Sequence, residues 1–340
     1  MDKKKKILLT GGAGFIGAHT AVELFNEGYQ TVLIDDFSKS DKTLLAGIEK
    51  ITGQRPHFIQ GDCRDTGFLH EVFSQSAFES VIHFAAYKSV NESVENPLMY
   101  YENNLGSMTA VLRTMQDFDV NRIIFSSSCT VYGQPDNIPV DETAPFKRAE
   151  SPYGATKQMS ERMLEDAVIG NKNLKVISLR YFNPVGAHPS AHIGELPIGV
   201  PNNLVPYVTQ TAAGLRKKLT VFGDDYQTPD GSCLRDFIHV VDLAHAHVKA
   251  LQKIDWMPTR NEAFNLGTGE GVSVLGLVKK FIEVTGVPLN YEIGPRRPGD
   301  IEKVYADPSK ARKLLGWQTA LSLEDALRDA WRWQQALEKI

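Results

Sequence analysis

The chain has 340 residues, of which 42% are hydrophobic and 23% charged, with a formal net charge of −4. This is the composition of a globular protein of one large or two linked domains, and the acidic balance argues against nucleic acid as a partner. Three cysteines far apart in sequence, Cys63, Cys129 and Cys233, show no CxxC spacing and suggest reduced thiols in a cytoplasmic protein. The one basic run, Lys3 to Lys6, solvates the start of a first strand. The apolar stretch behind it, Ile7-Leu8-Leu9, is too short for a signal-peptide core, and no segment reaches the length of a membrane span.

The first predicted strand, Ile7 to Thr10, runs at once into Gly11-Gly12-Ala13-Gly14-Phe15-Ile16-Gly17. A helix follows with apolar positions at Ile16, Thr20, Leu24 and Phe25, ending near Gly28. Gly11, Gly14 and Gly17 have the wide spacing of a dinucleotide fingerprint. Such glycines permit a tight turn, close approach of backbone to a pyrophosphate, and packing of helix on strand. A second strand, Thr31 to Ile34, ends at Asp35, 18 residues beyond Gly17. A carboxylate there accepts both ribose hydroxyls of an adenosine and repels a 2′-phosphate, and Asp36 adds to the repulsion, so the cofactor expected is NAD.

Strands at His57–Gln60, Ser80–Phe84, Arg122–Phe125 and Lys175–Leu179 continue the rhythm of a parallel sheet with crossover helices. The fold class is therefore α/β, a Rossmann-type doubly wound parallel sheet. Asp62 is placed to hold the adenine amino group. Phe84-Ala85-Ala86 closes its strand with small residues that let backbone approach the cofactor. Lys88, just beyond, is a candidate for the cofactor's ribose or the substrate's phosphate. Asn103-Asn104 lies in the next helix, facing the loop before Ser126, and Asn103 either braces that loop or contacts ligand directly.

The chemistry is expected between Ser126 and Lys157. Tyr153 and Lys157 are four residues apart in a stretch opening at Ser151-Pro152, so on a helix they share one face. A phenol loses its proton near pH 10. A nearby ammonium favours the phenolate, and a shift of about three units takes about 4 kcal/mol of differential stabilisation, expected from one lysine in a desolvated cleft helped by a cationic nicotinamide ring. Ser128, at the end of an apolar run, can share the same substrate oxygen.

After Arg180 the strand pattern gives way to Tyr181-Phe182-Asn183-Pro184-Val185-Gly186, and a domain boundary is placed at Asn183. Residues 1–183 form the nucleotide-binding domain, completed by a returning segment near 235–268. Residues 184–340 form a smaller mixed α/β substrate domain. Pro201 to Pro206 reads as a loop delivering amides, then a helix start, suited to a sugar or phosphate. Leu219–Phe222 is a strand whose Phe222 can stack on a base. Arg235, and Arg296 with Arg297, converge on a diphosphate through their planar forks, and Asp242 is a predicted N-cap. His239, His245 and His247 cluster in sequence, but His245 and His247, two apart, face different ways on a helix and no HExxH or Cys/His grouping occurs, so no metal site is expected.

With these residues assembled, the chain resembles the extended short-chain dehydrogenase/reductase superfamily and, within it, the UDP-hexose 4-epimerases. The most telling segments are Arg180 to Pro189 and Pro201 to Leu204, since the glycine motif is shared by the whole superfamily. The resemblance implies a tightly held NAD, reduced and reoxidised within each turnover. It implies that Tyr153 takes the proton of the sugar's 4-hydroxyl, Ser128 bridges that hydroxyl to Tyr153, and Lys157 lowers the tyrosine's pKa and holds the nicotinamide ribose. It adds Phe15, Ile16, Ser40, Cys63, Ser126, Tyr181 and Phe182 to the cofactor's surroundings. Asn183, Asn203, Leu204, Thr220, Phe222, Arg235, Arg297, Asp300 and Val304 fall to the nucleotide sugar, with Lys88, Ser128 and Tyr153.

Nucleotide-sugar 4,6-dehydratases look alike in the first half but carry an Asp-Glu pair where this chain has Cys129-Thr130-Val131, so elimination is disfavoured. A silent NAD-binding protein and a dehydrogenase with exchangeable NAD are the other readings. Two departures from the family pattern stand out. Cys129 replaces a common alanine beside Ser128; little effect on the reaction is expected, with sensitivity to thiol reagents as the one consequence to look for. Val304 stands where glucose-restricted bacterial members carry a bulky Tyr, which implies acceptance of UDP-N-acetylhexosamines unless Tyr305 fills the pocket instead. The family also implies a homodimer built from helices around Tyr100 to Phe118 and Tyr153 to Val168.

Overall fold

The computed structural model describes residues 6–297 and 300–337; Lys3 to Lys5 of the basic run lie outside the described residues. Six strands of the first half alternate with helices. The strands are β1 (Lys6–Thr10), β2 (Gln30–Asp35), β3 (His57–Gln60), β4 (Ser80–His83), β5 (Arg122–Ser128) and β6 (Lys175–Tyr181). The helices are α1 (Phe15–Asn26), α2 (Thr43–Thr52), α3 (Thr66–Ser74), α4 (Val90–Glu95), α5 (Pro97–Asp117) and α6 (Pro152–Gly170). All pairings in this sheet are parallel, which is why Ile7, Leu8, Leu9, Val81, Ile82, Ile123 and Ile124 are fully buried as continuous apolar runs. Helices cover both faces. Leu24 and Leu33 belong to the core on one side, and Val72, Met108 and Leu164 to the core on the other.

The second half adds β7 (Asn183–Val185), α7 (Leu204–Ala212), β8 (Leu219–Phe222), β9 (Leu234–Arg235), β10 (Phe237–His239) and α8 (Val240–Lys253). After these come β11 (Asn261–Leu266), β12 (Val272–Ser273), α9 (Val274–Thr285), β13 (Tyr291–Gly294), β14 (Lys303–Val304) and α10 (Leu323–Leu337). Strand β11 pairs with β6 as the seventh strand, giving the order β11-β6-β5-β4-β1-β2-β3. The order reverses between β1 and β4, and a crevice at the carboxyl ends of these strands is where an open α/β sheet takes its ligand. The other strands pair in small sheets over a separate core of Val208, Val221, Phe237, Leu277 and Phe281.

Three local expectations change. β5 continues through Ser126-Ser127-Ser128 and β6 through Tyr181, because the two pair in register to Ser128↔Tyr181, and ladder pairing overrides the weak strand preference of serine. The chain after Arg180 does not turn to loop at once: Asn183–Val185 is itself a strand, paired with β10. Asp242 is not the N-cap of α8. His239 caps it, accepting from the Val241 amide at 3.1 Å, while the Asp242 carboxylate accepts from the amides of Ala320 and Leu321 at 3.0 and 2.9 Å.

Candidate active site

The start of α6 and the end of β5 come together. Ser151 caps the helix by accepting from the Gly154 amide at 3.2 Å, and Pro152 takes the first position, where a missing N–H costs nothing. One turn apart on the same face, Tyr153 and Lys157 are buried, 7% and 4% exposed. The Lys157 ammonium donates to the Ser126 carbonyl at 2.6 Å and lies 5.9 Å from the centre of the Tyr153 ring. Ser128, the last residue of β5, accepts from the Thr130 amide at 3.3 Å, and its hydroxyl also meets the Tyr153 phenol.

Burial dominates the electrostatics of the pair. Burial holds the Tyr153 phenol above its ordinary value, the neighbouring Tyr181 adds to this, and the bond to Ser128 pulls it down by less. Burial also pulls the Lys157 ammonium down to about 7, against a smaller opposing pull from Glu161. Both groups are poised toward neutrality, and Lys157 does not by itself bring the phenol into range. Burial pushes the Cys129 thiol up to about 12, which works against reaction with thiol reagents.

At the switch point the glycine turn is shaped as expected. Gly11 has φ +68°, and a Cβ there would lie 2.8 Å from the Ala85 amide nitrogen; at Gly17 it would lie 2.3 Å from the Gly11 carbonyl oxygen. Helix α1 begins at Phe15 with no side-chain cap and no acid in its first turn, so its amides and dipole face the crevice unopposed. Asp35, at the end of β2, accepts from the Ala13 amide (3.2 Å), the Phe37 amide (3.0 Å) and Ser40 Oγ (2.6 Å). Burial still holds its carboxyl above the usual range. A bare helix start beside close-packed glycines, with an acid one strand over, fits a dinucleotide diphosphate and its ribose.

The remaining first-half candidates separate. Asp36 accepts from the Ser38 amide, and Asp62 is held by Arg64 at 2.6–3.1 Å in an exposed pair. Cys63 is buried, with its thiol pushed up to about 12. Phe84 packs on His247 with ring centres 4.7 Å apart, and Ala85 and Ala86 follow it in the loop after β4. Ser126 and Tyr181 join hydroxyls under the Lys157 contact, and Phe182 is buried beside them in sequence. Asn103 only donates to its neighbour. The brace is Asn104, whose amide exchanges bonds with both backbone groups of Tyr87 and donates to Thr156 Oγ1 on α6 at 3.0 Å.

Across the crevice, the second-half candidates hold one another. Glu195 Oε1 accepts from Lys88 Nζ at 2.8 Å and from Asn203 Nδ2 at 2.6 Å, joining the loop after β4 to the start of α7 at Leu204. Asp300 takes the fork of Arg297 at 2.6 and 3.2 Å and faces Arg235 at 3.7 Å. Arg297 also stands over the exposed ring of Phe222 at 5.5 Å. Arg296 leaves the group: it pairs with Asp225 and covers Tyr226. Thr220 gives its hydroxyl to Glu292. Asn183 Oδ1 is buried with no hydrogen-bond partner among the described residues, as expected of an acceptor kept for a ligand. Val304 is buried in a cluster with Phe182 and with Cys129 packed against it, whereas Tyr305 turns its ring onto Gly271. Among the described residues no group of three or more His, Cys, Asp or Glu is arranged to hold a metal ion, and no helix is long and apolar enough to cross a membrane.

Glu161 and Glu195 escaped the sequence reading, whereas Asn104 is paired there with Asn103 and only Asn103 is given the bracing role. Glu161 had a signal, since Tyr153, Lys157 and Glu161 repeat at four-residue spacing. For Glu195 the partners are distant in sequence, and no local pattern marks it.

A doubly wound sheet with a Ser-Tyr-Lys group at the end of β5 defines an extended short-chain dehydrogenase/reductase. Residues 8–330 match the family model described as GDP-mannose 4,6 dehydratase. The chain is 49% identical over 330 residues to a UDP-glucose 4-epimerase of Bacillus subtilis, covering 97% of each. It superposes on the Bifidobacterium longum UDP-glucose 4-epimerase, solved with NAD+ and UDP, with a TM-score of 0.94, 45% identity and 98% of both chains covered. It is also similar to the UDP-Glc/GlcNAc 4-epimerase of Campylobacter jejuni, with a TM-score of 0.84, 37% identity, and 98% of this chain and 99% of that one covered. The chain belongs to the UDP-glucose 4-epimerase family.

Proposed function

We propose that this protein interconverts UDP-galactose and UDP-glucose by NAD-dependent 4-epimerisation through a 4-keto sugar. The observation that carries this is the meeting of Ser128, Tyr153 and Lys157 at the carboxyl end of β5, in the same parallel sheet whose β1 runs into the glycine turn. Gly11 to Gly17 and the start of α1 would hold the pyrophosphate of NAD, Asp35 its adenosine ribose, and Lys157 its nicotinamide ribose. The bound dinucleotide supplies the hydride acceptor and donor at the sugar's C4, recycled within one turnover. Tyr153 takes the proton of the 4-hydroxyl, relayed by Ser128, and returns it after the keto sugar has turned over. Arg235, Arg297, Asn203, Leu204 and Phe222 clamp UDP while the hexose stays free to rotate.

The absence of a carboxylate at Cys129-Thr130-Val131 keeps this reading apart from dehydration, although the family model takes its description from a dehydratase. The test is protein as purified, with no NAD added, mixed with UDP-galactose. Formation of UDP-glucose supports an internally recycled cofactor; NADH build-up that needs added NAD would show a net dehydrogenase instead.

Val304 extends the reading to UDP-N-acetylhexosamines. It is buried in the cluster against which Cys129, next to Ser128 in the chain, packs, while the ring of Tyr305 lies against Gly271. We expect Val304→Tyr to abolish activity on UDP-N-acetylgalactosamine and spare UDP-galactose; equal loss of both would sink the idea. The pairing of β11 with β6 supports counting the segment near 235–268 with residues 1–183. Leu98 and Met159, 74% and 45% exposed on α5 and α6, support a homodimer through those helices, which sedimentation would test. Three free cysteines support a cytoplasmic setting.

A further inference from the structure

Behind Tyr153 and Lys157 on the same face of α6 stands Glu161, and all three touch the end of β5. Tyr153 meets Ser128, Lys157 holds the Ser126 carbonyl at 2.6 Å, and Glu161 Oε1 accepts from Ser127 Oγ at 2.5 Å. Glu161 is in turn gripped by Arg180 of β6, with bonds of 2.6, 3.0 and 3.2 Å, and both side chains are 9% exposed. The guanidinium continues to Tyr132 Oη at 2.9 Å, which donates to Asn265 of β11 at 2.7 Å, and it lies 4.8 Å from the Phe146 ring centre. A buried ion pair of this kind is weak evidence for stability alone. Its place one helical turn behind the lysine, tied to the serine between Ser126 and Ser128, calls for another use.

We propose that Glu161, fixed by Arg180, is a positioning residue that keeps the Lys157 ammonium charged and aimed at the Ser126 carbonyl. This rests on the roles given to Tyr153 and Lys157 above. Other groups around that ammonium do not provide a counter-charge. His83 of β4 is neutral, since burial pushes it down to about 3; Tyr153, Tyr181 of β6 and Tyr100 of α5 are phenols raised by burial. Arg180 is a cation, masked by Glu161. Glu161 is the carboxylate whose field opposes the desolvation of Lys157.

The charge has a signature that a purely structural brace lacks. Removing the carboxylate lowers the pKa of Lys157, so Glu161→Gln should move the Lys157 midpoint, and with it the alkaline limb of the kcat profile, toward acid by about one unit, with KM for UDP-galactose little changed. Arg180→Gln unmasks the carboxylate and should move the profile toward alkali by less. The double variant should return close to the wild-type midpoint, and Glu161→Asp should restore the profile's position. NMR of ε-carbon-labelled lysine, with Lys157 assigned by its loss in Lys157→Met, reads the same midpoint without turnover. A failure of the epimerase reading is thereby separated from a failure of this one. Opposite shifts of the Lys157 midpoint in the two single variants support the proposal. An unmoved midpoint, or shifts of the same sign, overturns it, and each single variant tests it with its own sign should the other not fold.

Discussion

The two walls of the crevice are built on different principles. The catalytic wall, the end of β5 against α6, is made of long regular elements, and its side chains are buried and bonded to backbone or to one another. The opposite wall is carried by strands of two to four residues, β8, β9, β13 and β14, and its charged groups are partly exposed. On the first wall, position is set by the backbone and the electrostatics by burial. On the second, ligand-binding groups satisfy each other while they wait: Asp300 holds Arg297, and Glu195 holds Lys88 and Asn203. Chemistry needs groups that do not move, whereas binding a large flexible nucleotide sugar needs groups whose pairings can be exchanged for those of the ligand.

If that contrast is right, variants on the two walls should fail in different kinetic constants. The largest effect is expected from Tyr153→Phe, which removes the proton carrier and keeps the ring's packing. Loss of a general acid-base group costs about 10²- to 10⁴-fold in kcat, and KM for UDP-galactose should stay within about twofold, since the phenyl ring still fills its place. A comparable rise in KM would mean that Tyr153 belongs to the binding wall, and the contrast would fail. On the other wall, Arg297→Gln should do the reverse. A charge-assisted bond contributes about 1.5–3 kcal/mol, so KM should rise about ten- to hundredfold while kcat holds. Steady-state kinetics on both variants under one set of conditions would make the comparison direct.

The catalytic wall was also the more legible one in the sequence, for the same reason. Gly11, Gly14, Gly17 and Asp35 are fixed by a strand, a turn and a helix that are contiguous in the chain, and Tyr153 and Lys157 by the pitch of one helix. Where legibility stopped, the missing information was tertiary. The strand end at Ser128 depends on pairing with Tyr181, over fifty residues away. Asn103 and Asn104 are equal candidates on paper, and only the rotation of α5 against the Tyr87 loop and Thr156 selects the second. The raised thiol of Cys129 and the raised phenol of Tyr153 follow from burial, which no spacing reveals. On the binding wall the residue types were legible, but their grouping was not: Arg296 and Arg297 are adjacent, yet one serves Asp225 and the other Asp300.

The smallest expected effect concerns the seam beneath both walls, where α8 of the later chain packs on α1 of the first. His245 meets Glu23 there at 3.0 Å, and the bond to Glu23 raises the imidazole above its ordinary value. Glu23 is lowered in turn; burial pushes it up, but the contacts with His245 outweigh that. The histidine's contribution is therefore fully present below its unfolded value of about 6.5 and is lost as pH rises through the folded value. The carboxylate's contribution is present above its unfolded value and lost as pH falls through the folded one. Because the His245 side chain is 48% exposed, solvent screening limits the pair to about 0.5 kcal/mol. His245→Gln should thus lower the melting temperature by about 1–2 °C near pH 6 and by nothing measurable above about pH 8.5. A difference that persists at high pH would mean that the histidine works through packing between α1 and α8, and that the seam is held by shape and not by charge.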